Sequence, residues 1–151
     1  WFMLPPLLKR MIEAGLLGRK SDHGFYFHGA KPPTVYAGLS MFQTGDAVRA
    51  LSRDELQQRM VLLMVNEAAR CLEENVVASA DDVDFAMIMG AGFAPFHGGP
   101  LRYAASIGLS RIVHVMNRLT DTDGAHFEPC RLLQNKVANE KTFHPKKGGS
   151  P

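Results

Sequence analysis

The pattern of apolar and polar residues along the chain predicts helices joined by turns. Apolar residues recur at helical spacing between Leu4 and Ala14, with two prolines in front and Gly15 behind, which predicts a short helix. Residues 16–26 combine turn formers with aromatic residues and predict a chain reversal that ends in a short extended piece. Sustained period-two alternation of β-branched residues is not found, so the predicted fold class is all-α.

A longer helix is predicted to start after Ser52. Ser52 and Glu55 have the spacing of a capping box, and the helix is expected to run to about Glu74 with a middle that is apolar on nearly all sides. Such a pattern is typical of a central buried helix. Further helices are predicted from Ser79 to Gly90, from Leu101 to Ile107 with Pro100 in the first position, after a cap at Ser110, and from Pro129 onward.

A proline-rich stretch predicts a boundary between two helical units. The two prolines of Lys31-Pro32-Pro33-Thr34 disfavour helical backbone geometry and lack N–H donors, so this segment is predicted to be a linker. We expect four parts, namely the end of one helical unit (1–30), a linker (31–50), a second helical unit (51–144) and a flexible tail (145–151).

Composition narrows the class of protein. With 151 residues, 46% of them apolar, the chain fits one compact domain and is too short for two catalytic domains. A net charge of +2 predicts no nucleic-acid partner. The longest apolar run, residues 60–65, is far below the ~20 residues that cross a bilayer, so no transmembrane segment is predicted. Cys71 and Cys130 are predicted to be free thiols in a reducing compartment, and a chain that starts at Trp1 is expected to be part of a longer protein.

Three polar residues are the candidate site residues. Asn66 and Glu67 interrupt the apolar run of the long helix, and buried polar groups need hydrogen-bond partners. They either bond to helix ends and loop backbone and fix packing, or contact a substrate. His97 lies in a glycine-rich loop, where it is either solvated or site-forming. The acidic residues at 81, 82 and 84 are expected to act as helix-start electrostatics.

Two other kinds of site are not expected. Gly90-Ala91-Gly92 begins like the dinucleotide-binding pattern G-x-G-x-x-G, but position six is Pro95, and a capped helix rather than a strand precedes it. A structural bend with tight helix packing is the favoured interpretation. The six histidines include no pair at the i, i+4 spacing that places two imidazoles on one helix face, so no metal site is predicted.

Separate motifs resemble one protein family. Leu16-Leu17-Gly18-Arg19-Lys20-Ser21-Asp22-His23-Gly24-Phe25-Tyr26 resembles the G-R-K-x-x-x-G-F-Y signature that closes the first C-terminal helical repeat of 3-hydroxyacyl-CoA dehydrogenases. Four further segments resemble parts of the second repeat of the same family. They are Arg59 to Glu74, Asp82-Val83-Asp84, Gly90-Ala91-Gly92-Phe93 and Gly98-Gly99-Pro100-Leu101-Arg102-Tyr103. This order is similar to that of multifunctional β-oxidation proteins, of the fatty oxidation complex alpha subunit type. Residues 1–30 would then end the first repeat, and 51–144 would form the second.

The resemblance implies a parent enzyme. Its reaction would be NAD-dependent oxidation of an L-3-hydroxyacyl-CoA to the 3-ketoacyl-CoA, in a chain that also carries an enoyl-CoA hydratase domain. The family's catalytic dyad and NAD loop precede the helical repeats, so no catalytic, cofactor-binding or metal residue is expected in this chain, which would be inactive alone. The first repeat supplies an asparagine to the substrate pocket, and Asn66 stands on what looks like the equivalent helix of the second.

The resemblance also implies partners. These are the upstream dehydrogenase and hydratase domains, acyl-CoA, and a second copy or a thiolase subunit. Bacterial cytoplasm is the default compartment, with mitochondrion and peroxisome as alternatives. A different class of function is an autonomous helical dimerisation or interaction module that does not bind acyl-CoA.

Overall fold

The computed structural model describes residues 4–42 and 50–144. Its helices are α1 (Pro6–Glu13), α2 (Arg53–Glu73), α3 (Ala80–Ala91), α4 (Pro100–Ile107), α5 (Leu109–Asp123) and α6 (Arg131–Ala138). Short 3-10 helices cover Ala37–Phe42, Pro95–His97 and Ala125–Phe127. Within the described residues the only strands are β1 (Tyr26–Phe27) and β2 (Thr34–Val35), so the predicted all-α class is confirmed. The predicted tail, 145–151, lies outside the described residues, as does the 43–49 part of the predicted linker.

The chain divides into two compact units, Trp1–Ala50 and Leu51–Pro151. In the first unit, α1 has proline at its start, as predicted. β1 pairs with β2 in an antiparallel ribbon that places Tyr26 opposite Val35. Part of the predicted linker therefore forms regular structure, namely β2 and the 3-10 helix that follows it.

The chain reversal before β1 is built on two glycines and a serine. A Cβ atom on Gly24 would lie 2.8 Å from the Cα of Gly18, so the two backbones approach too closely for a side chain at position 24. The Ser21 hydroxyl accepts from the Leu17 N–H at 2.8 Å and donates to the His23 carbonyl at 2.9 Å. The close approach explains the glycine at position 24, and the φ of +74° explains the glycine at position 18.

Helix α2 starts with the predicted capping box. The Glu55 N–H donates to the Ser52 hydroxyl at 3.2 Å, and the Ser52 N–H donates to the Glu55 carboxylate at 2.9 Å. Leu56 and Met60 are 49% and 62% exposed, so the first half of α2 is partly open to solvent, although the pattern predicts a central buried helix. The buried apolar face starts at Leu62 and continues with Val65, Ala68 and Ala69.

The core of the second unit lies between α2 and the helices packed around it. Helix α2 contacts α3, α4 and α6, and α5 contacts α4 and α6. The side chains of Val65, Leu101, Met116 and Leu133 are fully buried there. One helix from the middle of the sequence thus organises the unit.

Three predicted helix ends are wrong by one or two residues. Helix α5 starts at Leu109, because the Gly108 carbonyl already accepts from the Ile112 N–H at 3.1 Å, which puts Ser110 inside the first turn. Helix α6 starts after Cys130 rather than at Pro129. Helix α3 continues one residue beyond Gly90.

Candidate functional site

Among the described residues of the second unit, Asp84 is the most enclosed charged group, at 2% exposed. Helix α3 is capped by the Ser79 hydroxyl, which accepts from the Asp82 N–H at 3.2 Å, and Asp84 follows on the side that faces α4. Its carboxylate accepts from the backbone N–H of Leu101 at 2.7 Å and of Arg102 at 3.2 Å. Helix starts leave such donors without intrahelical partners and favour negative charge. Asp84 therefore caps α4 from a different helix.

The Gly-Gly-Pro motif accommodates this carboxylate. Gly99 has φ +105°, and a Cβ atom built on it would overlap the side chain of Asp84. Pro100 has no N–H, so the first donor that α4 presents is that of Leu101, the closer partner of Asp84. The residues at 81 and 82 do lie in the first turn of α3 as predicted, whereas Asp84 acts on the next helix.

A histidine and an arginine complete a cluster around the two aspartates. The Nε2 atom of His144 lies 2.8 Å from the Asp84 carboxylate, and its Nδ1 atom lies 3.4 Å from that of Asp81. The Arg102 guanidinium donates to Asp81 at 2.6 Å. Both ring nitrogens of His144 thus lie near a carboxylate oxygen. The cluster fastens the segment after α6 onto α3 and α4.

Sequence reasoning missed this cluster, although one signal for it was present. Helix α4 starts with Gly99 and Pro100, neither of which offers a side-chain cap, so its first N–H donors need an acceptor from elsewhere. Asp84 lies inside the otherwise apolar stretch 83–88. An acidic residue at such a position is expected to find buried donors.

Asn66 holds the loop that leads into α6. Its amide donates to the Glu128 carbonyl at 2.9 Å, and its oxygen accepts from the Cys130 N–H at 2.8 Å. The residue is 3% exposed. Both polar atoms of the Asn66 amide therefore bond to loop backbone.

Glu67 and His97 lie in different surroundings from Asn66. The Glu67 side chain is 49% exposed, and its carboxylate lies 4.0 Å from the Arg70 guanidinium. His97 ends an exposed 3-10 helix, and its ring centroid is 4.4 Å from that of Phe96 and 4.9 Å from that of Tyr103. Asn66 is thus enclosed, whereas the other two predicted residues face solvent.

Both cysteines are free. Burial raises the pKa of the Cys130 thiol above its ordinary value. Burial also raises the pKa of Cys71, with smaller contributions in the same direction from the negative charges of Glu67 and Glu74. Neither thiol has the lowered pKa that activates a nucleophilic cysteine.

The glycine loop does not fit a dinucleotide. Gly92, with φ +69°, is the left-handed C-cap of α3, and the Phe93 N–H donates back to the Met87 carbonyl at 3.1 Å. A pyrophosphate binds at the start of a helix, where N–H donors are free, whereas Gly90-Ala91-Gly92 stands at a helix end. In the residues that the structure describes, no three or more His, Cys, Asp or Glu side chains are placed to hold a metal ion. Over the same residues, no helix is sufficiently long and apolar to span a membrane.

Helix α3 and the 3-10 helix that follows it expose large apolar side chains. Phe85 and Met89 stand one turn apart on α3 and are 67% and 70% exposed. Phe96, in the 3-10 helix that follows, is 85% exposed. Exposed apolar groups in such number are typical of contact surfaces.

The comparisons with known proteins place this architecture in a family. Residues 56–150 match the family described as 3-hydroxyacyl-CoA dehydrogenase, C-terminal domain. The chain belongs to this family. The predicted resemblance is therefore confirmed, and the region that matches includes α3, the Gly-Gly-Pro motif and α4 with their shared carboxylate.

Longer relatives match most of the chain. The chain is 40% identical over 146 residues to the "Fatty acid oxidation complex subunit alpha" of Acinetobacter baumannii (strain SDF). It is 36% identical over 145 residues to the protein of the same name from Vibrio cholerae serotype O1 (strain ATCC 39541 / Classical Ogawa 395 / O395). The matches cover 91% and 95% of this chain. The chain spans only 20% of the length of either relative.

Proposed function

We propose that the chain is the structural and substrate-side lobe of an NAD-dependent L-3-hydroxyacyl-CoA dehydrogenase of fatty-acid β-oxidation, and that it is inactive alone. One observation carries the structural part of this proposal. Asn66 and Asp84, the buried polar side chains of the described second unit, direct their polar atoms at backbone groups that begin α6 and α4. Groups used in this way fix helix packing and are not available to reacting atoms.

The proposal assigns different roles to the candidate residues. Asn66 is a packing residue, because its amide nitrogen and oxygen both bond to loop backbone. Glu67 and His97 are the residues from which a contact with substrate is expected, since both are exposed. A substrate contact here would orient acyl-CoA and would not perform chemistry.

The cofactor and the further domains belong to the longer protein. NAD would bind to a dehydrogenase domain outside this chain, as the helix-end geometry of Gly90-Ala91-Gly92 favours. Residues 1–30 would end one helical repeat and 51–144 would form the next, behind a dehydrogenase and an enoyl-CoA hydratase domain. The relatives' name, which is that of the alpha subunit of a complex, supports a second kind of subunit, for which we propose a thiolase. Their bacterial sources support the bacterial cytoplasm as the compartment.

The exposed apolar surface favours a second candidate, an autonomous helical interaction module. Phe85, Met89 and Phe96 would then form a homodimer interface without any affinity for acyl-CoA. Both candidates predict a structural role for the second unit. They differ in whether the chain recognises an acyl-CoA.

Turnover, binding and association together separate the two candidates. We expect the purified 151-residue chain to show no NADH-dependent reduction of acetoacetyl-CoA, and the full-length protein that contains it to show this activity. Calorimetry is expected to detect acyl-CoA binding to the chain. Turnover by the chain alone would contradict the proposal. A stable dimer in light scattering with no acyl-CoA binding would support the interaction module.

A further inference from the structure

Over residues 50–144, only some of the arginine and lysine side chains are paired with another group. Three arginines contact a carboxylate. The pairs are Arg59 with Asp123 at 3.1 Å, Arg70 with Glu67 at 4.0 Å and Arg102 with Asp81 at 2.6 Å. Lys136 donates to the Thr142 carbonyl at 3.0 Å. The remaining cations of this range have no such contact, and they are Arg53, Arg111, Arg118, Arg131 and Lys141.

Two of these unpaired cations share one face of α5. Arg111 and Arg118 stand two helical turns apart, about 10 Å along the axis, and His114 lies between them on the same side. All three are exposed, and the buried residues of α5 lie on the opposite side. We call these three side chains the α5 basic face. The other unpaired cations stand apart, one in α2, one at the start of α6 and one after its end.

The composition of this face is complementary to the nucleotide end of a coenzyme A. That end carries a pyrophosphate and a separate 3′-phosphate, whereas the pantetheine and acyl parts of an acyl-CoA are uncharged. Guanidinium groups bind phosphate oxygens through paired N–H donors, and an imidazole donates to phosphate or stacks on a base. Neither Glu67 nor His97, from which a substrate contact is expected above, supplies a guanidinium. The phosphates of the substrate therefore need partners elsewhere on the unit.

We propose that the α5 basic face binds the phosphates at the nucleotide end of an acyl-CoA. The two arginines are far enough apart to contact two separate phosphate groups, and a 15-residue helix holds them at a fixed spacing. Exposed acidic residues where α2 ends and α3 begins, namely Glu74, Asp81 and Asp82, repel the same phosphates. Charge therefore directs the ligand towards α5. The inference rests on the proposed function, because it takes an acyl-CoA as the ligand of this lobe.

Titration of the 151-residue chain with coenzyme A, followed by the NMR shifts of its backbone amides, tests this site. We expect the shifts to fall in α5, and we expect Arg111→Gln and Arg118→Gln each to raise the Kd about two- to fivefold, the range for one exposed charge contact. Asp121→Asn, which removes a negative charge one turn beyond Arg118, is expected to lower the Kd. Arg53→Gln makes the same charge change on exposed α2 and is the matched control, with an unchanged Kd expected. Circular dichroism verifies that each variant is folded.

The choice of ligand distinguishes a coenzyme A site from a general anion surface. Dephospho-coenzyme A, which lacks the 3′-phosphate, is expected to bind about two- to fivefold more weakly than coenzyme A, and inorganic phosphate more weakly still, because it reaches only one arginine at a time. Binding of ATP as tight as that of coenzyme A would overturn the assignment. An equal Kd in the wild-type chain and both arginine variants, or shifts confined to residues outside α5, would overturn the site.

The proposed dehydrogenase function is tested separately from this site. Hydroxyacyl-CoA-dependent NADH formation is measured with the unmodified full-length protein. Turnover without coenzyme A binding at α5 overturns the site alone. Binding at α5 without turnover overturns the dehydrogenase function alone.

Discussion

The side chain of Asp84 fills the space that a side chain at position 99 would need. Gly99 and Asp84 belong to different motifs of the sequence, and each one restricts the other: the glycine leaves room for the carboxylate, and the carboxylate caps the helix that the glycine precedes. Gly99 also has φ +105°, which L side chains rarely adopt. The pair therefore sets the geometry between α3 and α4.

Substitution of Gly99 by alanine is expected to destabilise the second unit strongly. A Cβ atom would overlap Asp84 and would have to adopt a strained φ, so we expect a loss of ~2–4 kcal/mol in the free energy of unfolding. Urea denaturation followed by circular dichroism measures this loss. Gly90→Ala is the matched control, because a Cβ there meets nothing within 4 Å and the residue lies in helix α3, where alanine is favoured by up to ~1 kcal/mol. Equal effects at the two glycines would contradict the assigned contact.

Neutralising Asp84 is expected to weaken the start of α4. In Asp84→Asn an amide group would face the N–H donors of Leu101 and Arg102, and we expect a loss of ~1–3 kcal/mol. Asp81→Asn removes a charge from the same cluster at a side chain that is 70% exposed, so its expected loss is below ~1 kcal/mol. Hydrogen exchange at the first amides of α4 reports the change directly. Comparable protection in the two variants would show that the cap is not made by Asp84.

Asn66 is expected to be required for the start of α6. Asn66→Leu leaves the Glu128 carbonyl and the Cys130 N–H without their partner, so we expect a loss of ~2–4 kcal/mol. Asn117→Leu, on the exposed side of α5, is the matched control, with an expected change within ~0.5 kcal/mol. Thermal unfolding of the two variants gives the comparison. A stable Asn66→Leu variant would return this residue to the set of substrate contacts.

The two thiols are expected to react slowly and in a fixed order. Burial raises the pKa of both, so at about pH 8 each is more protonated than a free thiol, and only the thiolate is alkylated. Cys71, which is partly accessible, is expected to react first with iodoacetamide, and Cys130 only after unfolding. Rates should rise with pH as thiolate forms. The raised pKa of Cys130 also makes the free energy of unfolding depend on pH. Because the folded state holds this proton more tightly than the unfolded state, the contribution is present at neutral pH and is lost as pH rises through the raised pKa. Fast labelling of Cys130 in the native chain would contradict its burial.

The features that sequence reasoning predicted are those that depend on neighbouring residues. The capping box of Ser52 and Glu55 and the proline at the start of α4 use contacts within a few residues, and the structure contains both. The all-α class follows from helical periodicity in the same way. Motif order led to the family because the glycines at 24 and 99 allow close contacts that a side chain would prevent, and Gly18 adopts a φ of +74° that L side chains rarely adopt.

The missed features depend on contacts between distant residues. The cap on α4 joins positions 17 residues apart, and the His144 contact with Asp84 joins positions 60 apart. Neither separation follows from periodicity. The exposure of Leu56 and Met60 was missed for a similar reason, since composition shows that a helix face is apolar but does not show where the neighbouring helices stop covering it.

The long-range caps also bear on how the second unit folds. Helices α4 and α6 have eight residues each, well below the ~12–15 residues that an isolated helix needs to persist in water. The start of each is held by a side chain from another helix, Asp84 for α4 and Asn66 for α6. Neither short helix is therefore expected to persist before α3 and α2 are in place. Folding of the unit becomes all-or-none, and a peptide cut from α4 or α6 would remain unstructured.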